Sequence, residues 1–276
     1  MDRRLALIGF GEAGSTFAAA AGWGREIAAW DLLPARRAAA ARLCPAASAA
    51  DALAGAPLVL SLVTADEALA AAAAGAAHLA PGAIWCDMNS VAPETKRAAA
   101  RAIEGAGAHY VDAAVLAPVL PARMAVPLLL SGARAEAAAA LLGAAGFADV
   151  RCVGVEIGRA SAIKMIRSVM VKGIEALTAE MVLAARAAGV EDEVLASLDA
   201  SERPRPWAER AAYNLERMAR HGARRAAEME ESCKTLAALG VEPMMTVGTV
   251  LRQREMTGRD DRLPPPAPVV LRRAHP

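Results

Sequence analysis

Residues 5–14 read LALIGFGEAG, and this stretch decides the fold of the chain. Four apolar residues stop at glycines spaced G-x-G-x-x-G, and the residues that follow are rich in alanine, the best helix former. Strand, glycine turn and helix in this order are the fingerprint of a dinucleotide-binding unit, in which the helix amino terminus faces a pyrophosphate. We therefore predict that a nicotinamide dinucleotide contacts Gly9, Phe10, Gly11, Glu12, Ala13 and Gly14.

The three glycines of this turn have different expected roles. Gly9 allows the tight turn, Gly11 lets the backbone approach the pyrophosphate, and Gly14 lets the helix pack against the strand. Without a ligand, glycines at all three positions would cost backbone entropy and gain little. A purely structural turn is therefore the weaker interpretation.

An acid closes the second apolar run of the chain. Asp31 lies about 20 residues after the glycine turn, where a carboxylate accepts hydrogen bonds from the adenosine ribose and repels a 2′-phosphate. This position predicts NAD as the preferred cofactor. Two alternatives stay open, because Asp31 could merely begin a turn before Pro34, and because Arg36 and Arg37 could accommodate the phosphate of NADP.

The composition limits the class of protein. A chain of 276 residues is long enough for two domains with separate cores. A net charge of +1 and scarce aromatic residues argue against a nucleic-acid partner. The cysteines form no C-x-x-C pair and no cluster has metal-ligand spacing, so we expect a reduced, cytoplasmic protein without a metal site. We also expect no membrane span, because no uncharged apolar stretch reaches about 18 residues.

The first half of the chain alternates short apolar runs with alanine-rich stretches, which predicts a doubly wound α/β domain with a mostly parallel sheet. The predicted strands are Leu5–Ile8, Glu26–Trp30, Leu58–Leu62, Ala83–Asp87, His109–Ala114, Leu128–Ser131 and Asp149–Val153. The predicted helices are Ala13–Ala21, Ala35–Leu43, Ala65–Ala77, Pro93–Glu104 and Arg134–Ala145. Thr64 is expected to cap the third of these helices.

The second half is predicted to be all helical. One long helix at Ala160–Ala187 joins the two domains, and its apolar surroundings predict that it is largely buried. Further helices are predicted at Asp192–Leu198, Pro206–Arg220, Ala223–Leu239 and Met244–Arg254. The chain is thus divided into a dinucleotide-binding Rossmann domain at 1–157, a helical domain for substrate and dimerisation at 158–262, and a proline-rich extended tail at 263–276.

The long helix carries a polar stripe on its apolar surface. Ser161, Lys164, Ser168 and Lys172 follow one another at helical spacing. Desolvation and a nearby nicotinamide cation would lower the pKa of Lys164 and make its amine an acid or base near neutral pH. The same spacing equally allows Lys164 to extend to solvent at the domain boundary.

The chain resembles the β-hydroxyacid dehydrogenase family, which includes 3-hydroxyisobutyrate, tartronate semialdehyde and 6-phosphogluconate enzymes. The likeness covers nearly the whole chain and rests on GFGEAG at 9–14, DMNS at 87–90, YVDAAV at 110–115 and the segment around Lys164. The helical half is most similar to a branch with a 6-phosphogluconate dehydrogenase-like C-terminal domain. The resemblance implies a Rossmann domain, a long interdomain helix, a helical domain that forms a homodimer, and a substrate that enters between the domains.

The resemblance also implies roles for individual residues. Lys164 matches the catalytic acid/base of the family, and Ser168 stands where the family has an asparagine, so we expect it to position the substrate oxygen. The nicotinamide is expected near Val63, Thr64, Asn89 and Ser90.

One departure from the family concerns the substrate. The family often has a Ser-Gly-Gly turn for the substrate carboxylate where this chain has Leu116-Ala117-Pro118. The reaction type therefore transfers better than the substrate, and a bulkier or non-carboxylate alcohol stays open. We expect substrate contacts from Leu116, Ala117, Pro118, Ser161 and Arg225, with a solvated helix face as the alternative for Arg225.

These observations predict an NAD(P)-dependent oxidoreductase that moves a hydride between the cofactor and a hydroxyl or carbonyl carbon of a small, hydroxyacid-like substrate. An imine reductase with the same fold is one alternative, against which Lys164 counts mildly. A dinucleotide-binding regulator without catalysis is the other. The substrate, the direction of the reaction, an accompanying decarboxylation and any oligomer beyond a dimer are left open by the sequence.

Overall fold

The computed structural model of the chain describes residues 5–23, 26–202 and 204–259. Their contacts form two units, residues 1–169 and 170–276, and the division falls within one long helix. The predicted domain boundary after residue 157 precedes that helix. The predicted proline-rich tail at 263–276 lies outside the described residues.

The first unit is built on one sheet of seven strands. The strands are β1 (Leu5–Ile8), β2 (Ile27–Trp30), β3 (Leu58–Ser61), β4 (Ile84–Asp87), β5 (His109–Val115), β6 (Leu128–Ser131) and β7 (Val150–Cys152). Their order is β2-β1-β3-β4-β5-β6-β7, and only the pairing of β5 with β6 is antiparallel among these strands. The prediction of a mostly parallel Rossmann sheet is confirmed, with strand bounds close to those predicted.

The helices of the first unit connect these strands. They are α1 (Glu12–Ala21), α2 (Pro34–Ala40), α3 (Ala49–Leu53), α4 (Ala68–Ala76), α5 (Pro93–Gly105), α6 (Val119–Ala122) and α7 (Ala135–Ala144), and the long helix α8 (Arg159–Ala188) begins in this unit. The short helices α3 and α6 were not predicted. Each is too short for the apolar period of a helix to be recognised.

The prediction that Thr64 caps the next helix is wrong. Helix α4 begins at Ala68 and has Glu67 at its cap position, after a turn at residues 65–67. The Thr64 hydroxyl hydrogen bonds to the Asp66 side chain instead, and this bond is the main reason that the pKa of Asp66 is lowered. The nearby carboxylate competes with the helix for the hydroxyl.

Two apolar layers hold the sheet in place. In β1, Leu5 and Leu7 pack into one buried cluster, whereas Ala6 and Ile8 pack into the other. Because successive side chains of a strand point to opposite faces, both faces of the sheet are covered. The carboxyl ends of the strands are therefore the places where the chain can present functional groups.

The regular elements in the described part of the second unit are all helices. It contains the rest of α8, followed by α9 (Glu191–Ser201), α10 (Trp207–Ala238) and α11 (Met244–Met256). The two helices predicted at Pro206–Arg220 and Ala223–Leu239 form the single helix α10, so the predicted break was wrong. Gly222 stays helical because α10 packs closely on α11: a Cβ atom on Gly222 would overlap the carbonyl oxygen of Gln253.

The long helix is not buried as predicted. A stripe of its apolar side chains is exposed in the chain, which we call the apolar stripe: Ile163, Ile166, Met170, Ile174 and Leu177. The spacing of three or four residues places them on one face. The apolar composition was recognised, but no part of the described chain covers this face.

A buried carboxylate joins α8 to the start of α11. Glu180 accepts hydrogen bonds from the backbone amides of Met245 (2.7 Å) and Thr246 (2.9 Å). Burial acts to raise the pKa of Glu180, but the bonds from Thr246 and Met245 hold it below its ordinary value. The anion also lies at a helix amino terminus, where the dipole favours negative charge. No described helix is both long and apolar enough to cross a membrane.

The packing of Gly222 yields a prediction about two helical glycines. Gly222→Ala should destabilise the protein by about 1–3 kcal/mol, because the added methyl group displaces α11. Gly248→Ala is the matched control on α11, where nothing lies within 4 Å of an added Cβ. This control should stabilise the protein by about 0.5–1 kcal/mol through helix propensity. Urea unfolding followed by circular dichroism measures both, and equal effects of the two substitutions would contradict the packing argument.

Candidate active site

Most of the predicted site residues follow the carboxyl ends of neighbouring parallel strands. The segments are Gly9–Gly14 after β1, Asp31 after β2, Val63 and Thr64 after β3, Asn89 and Ser90 after β4, and Leu116–Pro118 after β5. Since β1 to β5 are parallel neighbours, these segments meet at one edge of the sheet. The strand order reverses beside β1, which is where sheets of this kind bind ligands.

Two of the three glycines in the turn are required by the fold. Gly9 has a φ of 100°, and a Cβ atom there would overlap the carbonyl oxygen of Leu62. A Cβ atom on Gly14 would overlap the carbonyl oxygen of Gly9, so α1 can approach the turn only with glycine at this position. These contacts agree with the packing roles predicted for Gly9 and Gly14.

Gly11 differs from both, because no part of the backbone requires glycine there. Its φ is −76°, and an added Cβ would meet only the flexible side chain of Arg36, at 3.4 Å. Gly11 also precedes α1, and no side chain caps the first turn of that helix. An open cradle before an uncapped helix start fits a phosphate group.

Asp31 is held inside the turn. It is 6% exposed, and its two carboxylate oxygens accept hydrogen bonds from the amides of Phe10 (2.7 Å) and Leu33 (2.8 Å). The hydrogen bond from Leu33 shows that Asp31 begins a turn, as in the alternative interpretation. The hydrogen bond from Phe10 shows that Asp31 also fixes the glycine turn. Arg36 lies 3.8 Å from the same carboxylate, and Arg37 donates to the Asp31 carbonyl and stacks on the Trp30 ring.

The loop after β4 contains a buried amide. Asn89 is 4% exposed, and its Nδ2 donates to Ser61 Oγ over 2.9 Å. Its Oδ1 has no hydrogen-bond partner among the described residues. A buried acceptor without a partner is unfavourable, so this atom suits a ligand that donates from an amide or hydroxyl group. Gly11 with the start of α1 thus fits the pyrophosphate of a nicotinamide dinucleotide, and Asn89 after β4 fits a hydrogen-bond donor of the same molecule.

The amine of Lys164 reaches this loop. Lys164 Nζ donates a hydrogen bond to Ser90 Oγ, and both side chains belong to the first unit. Two residues predicted for different roles, acid/base and cofactor contact, are therefore neighbours. Ser168 lies one turn further along α8 and is partly exposed. This contact places the Lys164 amine beside the loop after β4, which is where it would act as an acid or base.

One further cation was missed by the sequence analysis. Arg167 Nη1 donates to the Leu116 carbonyl over 3.3 Å, in the segment that replaces the Ser-Gly-Gly turn. Within that segment Ala117 packs against the core and Pro118 is exposed. Arg167 lies three residues after Lys164 on α8, so helical spacing from Lys164 was the signal that could have found it.

Two predicted substrate contacts, Ser161 and Arg225, belong to different units of the chain. Ser161 is 2% exposed and its hydroxyl donates to the Gly158 carbonyl over 3.1 Å, at the start of α8. The substrate contact predicted for Ser161 stays a prediction. Arg225 lies on α10 in the second unit, and its role stays a prediction. Among the described residues no group of histidine, cysteine and carboxylate side chains could hold a metal ion.

A buried charge cluster below the site was also missed. Asp87, Lys96 and Asp112 are all fully buried, and Lys96 Nζ lies 2.9 Å and 3.4 Å from the two carboxylates. The sequence did contain a signal: Asp87 ends one apolar run, Asp112 lies within the next, and Lys96 lies in the first turn of the helix between them.

Comparison with known proteins agrees with this geometry. A family model described as the NAD binding domain of 6-phosphogluconate dehydrogenase matches residues 4–153, and a domain of unknown function (DUF1932) matches residues 185–256. The chain therefore belongs to the family that has this NAD-binding domain, and the resemblance to hydroxyacid dehydrogenases is confirmed. It carries an NAD(P)-binding Rossmann domain of the kind found in oxidoreductases. The comparison with curated proteins gave no match.

Solved structures give the same fold. A conserved hypothetical protein from Sinorhizobium meliloti 1021 is 39% identical, with a TM-score of 0.61 over 92% of this chain and 88% of that one. A conserved protein of unknown function, described as structurally similar to 3-hydroxyacid dehydrogenases, is 31% identical, with a TM-score of 0.58 over 94% and 98%. An imine reductase from Myxococcus stipitatus in complex with NADP+ is 20% identical, with a TM-score of 0.74 over 91% and 93%, and shares the fold.

The different surroundings of the glycines yield a prediction about cofactor binding. Gly11→Ala should leave the melting temperature nearly unchanged but weaken NADH and NADPH binding by about tenfold or more, because the methyl group enters the phosphate cradle. Gly14→Ala should instead lower the melting temperature, because it forces α1 away from Gly9. Calorimetric titration and thermal unfolding measure the two effects. Unchanged cofactor affinity in Gly11→Ala would refute the role given to Gly11.

Proposed function

We propose that the protein is an NAD(P)-dependent oxidoreductase that interconverts a hydroxyl and a carbonyl group on a small, hydroxyacid-like substrate, with Lys164 as general acid/base. The hydrogen bond from Lys164 Nζ to Ser90 Oγ supports this proposal most directly. It brings an amine from α8 to the loop after β4, at the edge where the glycine turn and Asn89 fit a dinucleotide. An acid/base group beside the redox ring is what alcohol oxidation requires.

The proposed chemistry divides the work between cofactor and protein. A bound nicotinamide cofactor would accept the hydride from the carbinol carbon in oxidation and would supply it to the carbonyl carbon in reduction. Lys164 Nζ takes the hydroxyl proton during oxidation and returns it to the carbonyl oxygen during reduction. Ser90 orients the amine by accepting its hydrogen bond, and Ser168 is proposed to position the substrate oxygen. Acid/base help of this kind is worth about 10²–10⁴-fold in rate.

The chain's own residues are proposed to hold the cofactor along the strand edge. The amides at Gly11 and at the start of α1 would face the pyrophosphate. Asn89 Oδ1, which lacks a partner among the described residues, would accept a hydrogen bond from the carboxamide or a ribose hydroxyl. Val63, Thr64 and Ser90 are proposed to line the ring.

The preference for NAD over NADP stays a prediction. Asp31 favours NAD by its charge, but both of its oxygens already bind backbone amides, which weakens the argument that it is reserved for a ribose. The Arg36 side chain, beside Asp31 and Gly11, offers a cation for a 2′-phosphate and supports the use of NADP. The ratio of the two dissociation constants, measured by calorimetry, decides between the cofactors.

A hydroxyacid-like substrate is supported by Arg167. Its guanidinium is exposed, is anchored to the Leu116 carbonyl and lies one helical turn from Lys164. Guanidinium groups bind carboxylates well. Leu116, Ala117 and Pro118 are proposed to shape the rest of the substrate site.

Two other functions are kept as alternatives. Imine reduction is supported by the fold shared with the Myxococcus stipitatus imine reductase, and Lys164 counts against it. A regulator that binds the dinucleotide without turnover is supported by the fit of the cofactor site alone. Turnover of a cyclic imine would favour imine reduction. Cofactor binding without any turnover would favour the regulator.

A homodimer is proposed on the evidence of the apolar stripe of α8. Ile166 is 74% exposed and Met170 47% exposed, and a row of such side chains at helical spacing is suited to a second copy of the helix. Light scattering in solution tests this proposal, and the mass of a single chain would contradict it.

Substitution of the proposed acid/base tests the function. Lys164→Met should lower kcat by about 10²-fold or more on small hydroxy acids, 3-hydroxyisobutyrate among them, because no group then accepts the hydroxyl proton. Cofactor affinity should stay unchanged, because the amine is not a phosphate ligand. Lys234→Met, at an exposed lysine on α10, is the control and should keep wild-type turnover. Assays of hydroxy acids and a methylpyrroline imine with both cofactors measure the effect, and turnover of Lys164→Met within a few-fold of wild type refutes the role.

A further inference from the structure

The buried charge cluster of Asp87, Lys96 and Asp112 has no role in the chemistry described above. Its three side chains are completely buried, at the end of β4, in the first turn of α5 and in β5. Burying three charges is unfavourable, and replacing a buried ion pair by apolar side chains is often neutral or stabilising. Stability alone is therefore a weak reason for such a cluster, and its hydrogen bonds indicate what else it does.

One side of the cluster fixes the loop that carries Ser90. Asp87 Oδ1 accepts a hydrogen bond from the backbone amide of Asn89 over 2.9 Å, and Asp87 Oδ2 accepts one from the Tyr110 hydroxyl over 2.6 Å. Burial, and then the charge of Asp87, raise the pKa of Tyr110, so the phenol stays protonated and remains a donor. The Asn89 side chain is held in turn by Ser61. The position of Ser90 is thus set by Asp87.

The other side of the cluster fixes the start of α8. Asp112 Oδ2 accepts hydrogen bonds from the Ser161 amide (2.9 Å) and from Ser131 Oγ (3.2 Å). Ser131 Oγ accepts a bond from the Ala160 amide over 3.0 Å. These bonds cap a helix start, where a carboxylate is favoured by the unpaired amides and the dipole. Lys164 lies less than one turn beyond Ser161, so its position is set by Asp112.

Lys96 joins the two sides. Its amine donates to Asp87 Oδ1 and to the Asp87 carbonyl, and lies 3.4 Å from Asp112 Oδ1. The contacts form a closed ring, because the two segments fixed by Asp87 and Asp112 meet again where Lys164 donates to Ser90. We propose that Lys96 is a positioning residue: by holding the two carboxylates together it fixes the amine of Lys164 against Ser90.

This inference rests on the proposed function for its catalytic consequence, but the position of Lys164 can be tested without turnover. The sequence has four lysines, Lys96, Lys164, Lys172 and Lys234, so acetylation of each can be followed by mass spectrometry. In Lys96→Met the two carboxylates repel each other, and the start of α8 separates from the Ser90 loop. Acetylation of Lys164 by N-acetoxysuccinimide, relative to that of exposed Lys172, should then rise by about threefold or more, as it should in Ser90→Ala.

Two further variants make the labelling test decisive. Ile103→Ala creates a cavity on the same helix α5 without touching the charges, and it should leave the relative rate at Lys164 unchanged. Lys96→Gln keeps a hydrogen-bond donor for Asp87 but removes the charge. It replaces Lys96→Met in the labelling experiment if Lys96→Met does not fold. A relative rate in the Lys96 variants equal to that of wild type, or matched by Ile103→Ala, overturns the inference.

Turnover supplies the second measurement. On the hydroxy acid that the wild type oxidises fastest, Lys96→Met should lower kcat by about 10–100-fold, because small displacements of reacting groups have effects of this size. In the Lys164→Met background the same change should have no further effect. Loss of turnover in Lys164→Met with full turnover in Lys96→Met refutes positioning and leaves the proposed function intact. Full turnover in Lys164→Met refutes the proposed function, while the labelling result still decides the position of Lys164.

Discussion

The hydrogen bond from the Ser161 amide to the buried carboxylate of Asp112 is the connection on which the proposed site depends. The sheet alone would present a glycine turn and several loops at one edge, which is enough to hold a dinucleotide and insufficient to move a proton. The amine comes from α8, and α8 is fixed to the sheet at its first turn. An anionic acceptor suits this point because the first amides of a helix have no partners within it.

Local sequence was sufficient for the parts of the fold that depend on local physics. The seven strands follow from short apolar runs separated by turn residues, and the glycine turn follows from one motif in its context. The motif also assigned different roles to Gly9, Gly11 and Gly14, and the packing around Gly9 and Gly14 agrees with those assigned to them. The contact between Lys164 and Ser90 joins residues that are 74 positions apart. The family resemblance gave each residue a role near the nicotinamide, but their contact was not predicted, since spacing along one helix left the direction of the Lys164 side chain open.

The predictions that failed depended on partners that are distant in sequence or on competing local bonds. A break was predicted between Arg220 and Ala223, but Gly222 packs tightly on Gln253 in α11 and the helix is continuous. Thr64 was taken as a cap, but Asp66 captures its hydroxyl. Lys96 was overlooked because the pattern of α5 alone does not tell that this side chain faces the acids of the neighbouring strands β4 and β5. Composition and apolar periodicity predict the secondary structure of a segment, but they do not tell which other residues its side chains will contact.

The central claim is that a nicotinamide ring binds beside the loop after β4, within reach of the amine of Lys164. A crystal structure of the protein with NADPH and a substrate analogue such as tartronate measures this most directly. The account predicts the pyrophosphate against Gly11, the carboxamide at Asn89, and Lys164 Nζ within hydrogen-bond distance of the analogue's hydroxyl. A cofactor bound elsewhere, or a Lys164 amine directed away from the ring and the analogue, would contradict the account.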